Sequence, residues 1–146
     1  MSITKKDVES FFAKYEAGFN AALGGHVDLK AIKALYSDQF IAASPRGVRA
    51  GTNDGSFDAA MSKGYQRYRD LGTKSMKVES IETHEVDDCH LMARVRWQSV
   101  YEKPGTGAIH IPFDVNYLLE HRENEIKVFA WITGDEEALL KAHGVM

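Results

Sequence analysis

The chain has 146 residues, 18 Lys and Arg against 21 Asp and Glu, one Cys and a net charge of −3, which suits one domain over 1–146 whose core forms without disulfides or metal. The charges are interleaved with no basic stripe and no apolar run approaches bilayer length, so neither nucleic acid nor membrane is an expected partner. No continuous apolar stretch of the signal-peptide kind follows the two N-terminal lysines, and Cys89 stands alone, so a cytoplasmic, reducing location is expected.

Thr4 and Asp7 form a capping pattern, and Val8, Phe11, Phe12, Tyr15, Phe19 and Leu23 recur behind it at helical spacing, predicting an amphipathic helix that ends at Gly24-Gly25. Asp28 caps a shorter predicted helix with Leu29, Ile32, Leu35 and Tyr36 on its apolar side. Phe40 to Ala43 reads as a short strand, broken by the turn Ser44-Pro45-Arg46-Gly47. A third helix starts near Thr52 or Asn53, carries Phe57, Met61, Tyr65 and Tyr68, and stops at Gly72.

From Lys74 the period changes to two. Met76 to His84, Leu91 to Glu102, Ala108 to Glu120 and Ile126 to Thr133 read as strands, and the chain closes with a helix capped around Asp135 and ending at Gly144. Matching apolar rows across the turn at Gly105 places Trp97 opposite Phe113, and on the reverse face Arg96 opposite Asp114 and Arg94 opposite Asn116. Helices followed by antiparallel strands make the class α+β, with a helical layer over the sheet's apolar face.

Four strings in this order carry a resemblance: Asp28-Leu29-Lys30-Ala31-Ile32-Lys33-Ala34-Leu35-Tyr36-Ser37-Asp38, then Ser44-Pro45-Arg46-Gly47 with Gly51, then Phe113-Asp114-Val115-Asn116-Tyr117-Leu118-Leu119, and Trp131-Ile132-Thr133-Gly134-Asp135. Together they resemble the nuclear transport factor 2-like superfamily, in particular its SnoaL-like and ketosteroid-isomerase-like branch. The resemblance implies a cystatin-like cone, with N-terminal helices packed on a curved antiparallel sheet around one internal pocket. It also implies that Asp114, Asn116, Arg94 and Arg96 face the pocket, and that Trp97, Phe113 and Val115 on the other face form a homodimer contact. The residues read alone favour the reverse, because an apolar row belongs against helices and an Arg/Asp ladder belongs in water.

In ketosteroid isomerases a carboxylate base moves a proton while a Tyr and a protonated Asp hold the enolate oxygen. By resemblance Asp114 matches that Asp and Tyr15 the Tyr, with Asn20 an alternative one turn away. Ser44 stands where the base belongs, and a serine hydroxyl is no general base without a partner. Arg94 and Arg96, if inside, would bind a carboxylate or enolate, and Asn116, Ser44, Phe57, Met61, Tyr65 and Trp131 would complete the ligand wall. No redox cofactor or metal is implied. Cys89 and His90 beside Asp87-Asp88 read as a solvated turn, and His110 as a rim residue near Asp114.

Two functions stand open on this reading. One is a proton-transfer enzyme of the isomerase, cyclase or dehydratase kind, acting on a small, partly apolar organic molecule. The other is a non-catalytic, dimeric ligand-binding or assembly module of the same fold.

Overall fold

The computed structural model describes residues 3–105 and 107–146. Its elements run α1 (Lys5–Leu23), α2 (Leu29–Lys33), β1 (Tyr36–Ser44), β2 (Gly47–Thr52), α3 (Gly55–Leu71), β3 (Thr73–Asp87), β4 (His90–Lys103), β5 (Gly107–Arg122), β6 (Glu125–Thr133) and α4 (Glu136–Ala142). Thr106, in the turn expected between the long strands, lies outside the described residues. Among the described residues, no helix is long and apolar enough to cross a membrane.

The capping box at Thr4 is present in full: the Asp7 N–H donates to the Thr4 hydroxyl and the Thr4 N–H to the Asp7 carboxylate. It aims the apolar stripe of α1 inward, so that Val8, Phe11, Phe12, Ala22 and Leu23 are buried. The six strands form one curved sheet in the order β2-β1-β6-β5-β4-β3, antiparallel except for the parallel pair β1·β6.

The expected register of β4 against β5 is present residue for residue, with Trp97 opposite Phe113, Arg96 opposite Asp114 and Arg94 opposite Asn116. The helices lie against the apolar row. Ala93, Val95 and Trp97 are essentially inaccessible, and they share a core with Phe12 of α1 and Tyr65 of α3. That corrects the orientation implied by the resemblance. Trp97, Phe113 and Val115 are on the covered face and cannot form a subunit contact, whereas Arg94 and Arg96 are exposed on the other face. The cause is the cost of burial: two guanidiniums and a carboxylate under the helices would lose several kcal/mol each in hydration, on the order of what a buried ion pair rarely recovers.

The early part of the chain departs from the sequence expectation. The second helix stops at Lys33 rather than at Tyr36, because the Leu35 carbonyl accepts from Val128 N–H and Tyr36 pairs with Val128 in the sheet. β2 was read as a turn and loop because Val48-Arg49-Ala50 is exposed throughout and has no apolar alternation to reveal it. α3 starts later, at Gly55, where the Asp54 carboxylate accepts from the Ser56 N–H.

α1 is tied to the free edge of β3 by polar side chains. The Asn20 amide donates to the Met76 carbonyl and accepts from the Met76 N–H, at 2.7 and 2.8 Å, and the Glu16 carboxylate accepts from the Val78 N–H. An edge strand left with unpaired backbone groups would template aggregation, and these two residues cover part of it.

α3 ends at Gly72 with φ +87, and a Cβ there would stand 2.3 Å from the Glu102 carbonyl oxygen. Glu102 cannot withdraw freely, because its N–H donates to the Gly72 carbonyl. Gly72→Ala therefore combines left-handed strain with a backbone clash, and is expected to lower unfolding free energy by about 2–4 kcal/mol in urea titrations.

Candidate functional site

Between the sheet and the helices lies a cavity of about 450 Å³. Its walls are aromatic: Tyr15 and Phe19 come from α1 and Tyr68 from α3, while the sheet contributes Trp97, Tyr117 and Trp131 among others. The start of α4 closes one end, with Glu136, Leu139 and Leu140 at the wall. Below them Leu140 and Val145 pack with Tyr101 and Ile111 in a small second core. Apolar walls with a few convergent hydroxyls are the usual make-up of a small-molecule site, and this volume falls in the usual range.

The hydroxyls are ordered by a chain of hydrogen bonds. Trp97 Nε1–H donates to the Tyr117 hydroxyl at 3.1 Å, and because an indole N–H only donates, the Tyr117 oxygen must be its acceptor. Tyr117 keeps its own O–H as a donor, and its ring packs edge-on against that of Tyr15 with centroids 5.6 Å apart. From the other side the Tyr36 hydroxyl donates to the Tyr15 oxygen at 3.0 Å. Tyr15 thus accepts from Tyr36, which leaves its own proton for a group in the cavity.

The electrostatics follow from this arrangement. Burial raises the Tyr15 phenol above its ordinary value, and the hydrogen bonds from Tyr36 and Tyr117 pull it back. Tyr36 and Tyr117, raised first by burial and then by the neighbouring Tyr15, stand well above theirs. An oxyanion forming beside Tyr15 would meet a donor already supported by Tyr36.

Of the residues expected from the sequence, Tyr15 and Trp131 are at this cavity. Phe57, Met61 and Tyr65 are not: Phe57 packs on Tyr36 and Phe40, Tyr65 on Phe19, and Met61 against the main core, because α3 spends that face on the sheet and α1. Ser44 is in the β1–β2 turn, where its hydroxyl accepts from the Arg46 N–H. Asn20 is engaged with β3. Asn116 shares the outer face with Arg94, and His110 is exposed.

Asp114 is at the cavity rim, where β6 has ended opposite Val115 and left the β5 edge open. Its carboxylate is held by Arg94 at 2.8 Å and Arg96 at 3.3 Å. The hydrogen bond from Arg94, ahead of every other cause, holds the carboxyl below its ordinary value. It is ionised at neutral pH, the reverse of the protonated Asp implied by the resemblance, and neither arginine is among the residues lining the cavity.

A carboxyl whose folded-state value is depressed stabilises the fold above its unfolded value, and that contribution fades as pH falls through the depressed one. Asp114→Asn is therefore expected to lower the urea midpoint slightly at pH 7, with the difference shrinking below about pH 4.

Tyr68, from the α3 stripe expected to line the pocket, is at the cavity, whereas Phe19, Tyr117 and Glu136 are site residues that the sequence reading does not single out. Tyr117 was legible: it lies on the same strand face as Phe113 and Val115, which had been assigned to a subunit contact.

A family model for NTF2-like proteins (DUF6841) matches residues 5–136. No curated protein matches the chain in sequence. Among solved structures, an NTF2-like protein of unknown function from Shewanella oneidensis is similar at 20% identity, with a TM-score of 0.65 over 89% of this chain and 98% of that one. A ketosteroid isomerase-like protein from Erwinia carotovora is similar at 18% identity and TM-score 0.60, over 86% of this chain and 91% of its own. The beta subunit of the benzoate 1,2-dioxygenase from Burkholderia mallei is similar at 13% identity and TM-score 0.68, covering 96% and 95%. At these identities the likeness is one of fold.

Proposed function

The chain belongs to the NTF2-like protein family DUF6841, and on that footing we propose that it binds a small, ring-sized, largely apolar organic molecule in the aromatic cavity and moves a proton on it. The observation that carries this reading is the hydrogen-bond chain converging on Tyr15 at the cavity wall. A carbonyl oxygen placed against Tyr15 gains charge as a carboxylate at the cavity rim takes the proton of its neighbouring C–H, and the Tyr15 donor, supported by Tyr36, stabilises that charge more than the ground state.

2-Tetralone, a bicyclic ketone with acidic C–H bonds next to its carbonyl, tests the reading by proton NMR in D2O. Protein-dependent loss of the α-proton signals is the expected result. Binding without exchange is what the non-catalytic module predicts, and would remove the enzymatic reading.

We also propose a homodimer, through the outer face of the sheet rather than the face first expected. Cross-strand partners share a face, so Val48, Ala43, Ile132, Asn116 and Arg94 form one outward row across five strands. Val48 and Ile132 are exposed at 70% and 48%, and Ile41, two residues from Ala43, at 47%. Ile132→Glu is expected to convert a dimer to monomer in analytical ultracentrifugation, and a monomeric parent protein would contradict the proposal.

A further inference from the structure

The charges around the cavity are of one sign. Among the described residues, none of those lining it is a lysine, arginine or histidine, whereas Asp114, Asp135 and Glu136 stand at its rim. Two of these carboxylates are already engaged. Asp114 is held by Arg94 and Arg96, and Asp135 accepts from the Ala138 N–H as the cap of α4 and has Arg46 at 3.8 Å. Even the neighbouring Glu137 is neutralised, by Arg46 at 2.9 Å and Lys141 at 3.0 Å.

Glu136 is different. Its side chain lines the cavity together with Tyr68, and among the described residues it forms no ion pair within 4.0 Å. Its charge reaches the cavity wall: after burial, Glu136 is the next cause raising the phenols of Tyr68 and Tyr101.

An uncompensated carboxylate at the mouth of an aromatic cavity has a definite complement. Ring faces carry negative quadrupole potential and attract organic cations, and a carboxylate adds a charge-assisted hydrogen bond to an ammonium. A carboxylate ligand would meet Glu136 with the same sign of charge and no cation among the described lining residues. We propose that the cavity selects a ring-bearing organic ammonium, its ring between Trp97, Trp131 and Tyr117 and its ammonium at Glu136 and Tyr68. This deepens the preceding reading of the cavity as the ligand site and rests on it.

Three naphthalenes of matched size test it by isothermal titration calorimetry at pH 7: 2-(aminomethyl)naphthalene, 2-(hydroxymethyl)naphthalene and 2-naphthoate. The amine is expected to bind about tenfold tighter than the alcohol, and the carboxylate most weakly of the three. Glu136→Gln, an exposed position in the first turn of α4, is expected to bring the amine to within about twofold of the alcohol. Equal binding of amine and alcohol by the parent, or a preference that survives Glu136→Gln, overturns the cation selectivity and leaves the cavity reading intact. Binding of none of the three overturns both.

Discussion

Tyr15→Phe is expected to slow protein-dependent exchange of 2-tetralone by about 10²–10³-fold at saturating ketone, the cost of removing one preorganised donor from an oxyanion site. The size of the effect comes from what stands behind the hydroxyl. Tyr36 directs a hydrogen bond at the Tyr15 oxygen, and Tyr117, held by Trp97, packs against the Tyr15 ring. Phenylalanine keeps the ring, which packs within 6.2 Å of Tyr36, Trp97 and Tyr117, so the cavity wall is retained. The orphaned Tyr36 hydroxyl costs about 1–3 kcal/mol of stability, which circular dichroism would register as a lowered melting temperature of a still-folded chain. Tyr36→Phe removes one supporting bond and leaves the donor, so its effect on rate should be much smaller. A Tyr15→Phe rate within twofold of the parent would remove Tyr15 from the chemistry.

Trp97→Ala should destabilise the fold by about 3–5 kcal/mol, close to the whole stability of a marginal domain. Trp97 is 1% exposed and is the largest fully buried side chain. It stacks at 5.7 Å from Tyr15 and satisfies the buried Tyr117 hydroxyl, so truncation opens a void and strips a hydrogen bond together. The void would join the existing cavity, where water can enter, and that places the loss toward the lower end of the range. Urea titration followed by circular dichroism measures it. A loss under about 1 kcal/mol would mean that the sheet and α1 do not depend on this contact.

Why the fold was legible and the site only partly so can be seen at particular residues. The four long strands announce themselves by period-two alternation, and pairing their apolar rows was enough to place Trp97 opposite Phe113. The capping box at Thr4 and the stop at Gly72 are local chemistry and needed no tertiary context. β2 has neither signal: its pairing with β1 is made by backbone alone, with every side chain but Gly51 exposed.

For the site, the resemblance and elementary burial disagreed about which face of β4 and β5 looks inward, and burial was right. The row Leu91, Ala93, Val95, Trp97 is apolar at each step, whereas Arg94 and Arg96 find Asp114 and Glu79 on the solvent side. The aromatic stripe of α3 was assigned to a ligand wall, yet only Tyr68, at its C-terminal end, reaches the cavity. Nothing local in a helix tells which of its turns faces a void. Glu136 was hidden for a related reason: its place depends on where α4 folds back over the open end of the sheet.

Trp97 and Trp131 are the only tryptophans in the chain, and both line the cavity, so intrinsic fluorescence reports directly on its occupancy. Titration of 2-tetralone, with the melting temperature followed in parallel, is expected to give a saturable change in tryptophan emission and a rise in melting temperature with the same midpoint. An emission spectrum and melting temperature both unmoved by saturating ketone and by the naphthalene amine and alcohol would contradict the assignment of this cavity as the functional site.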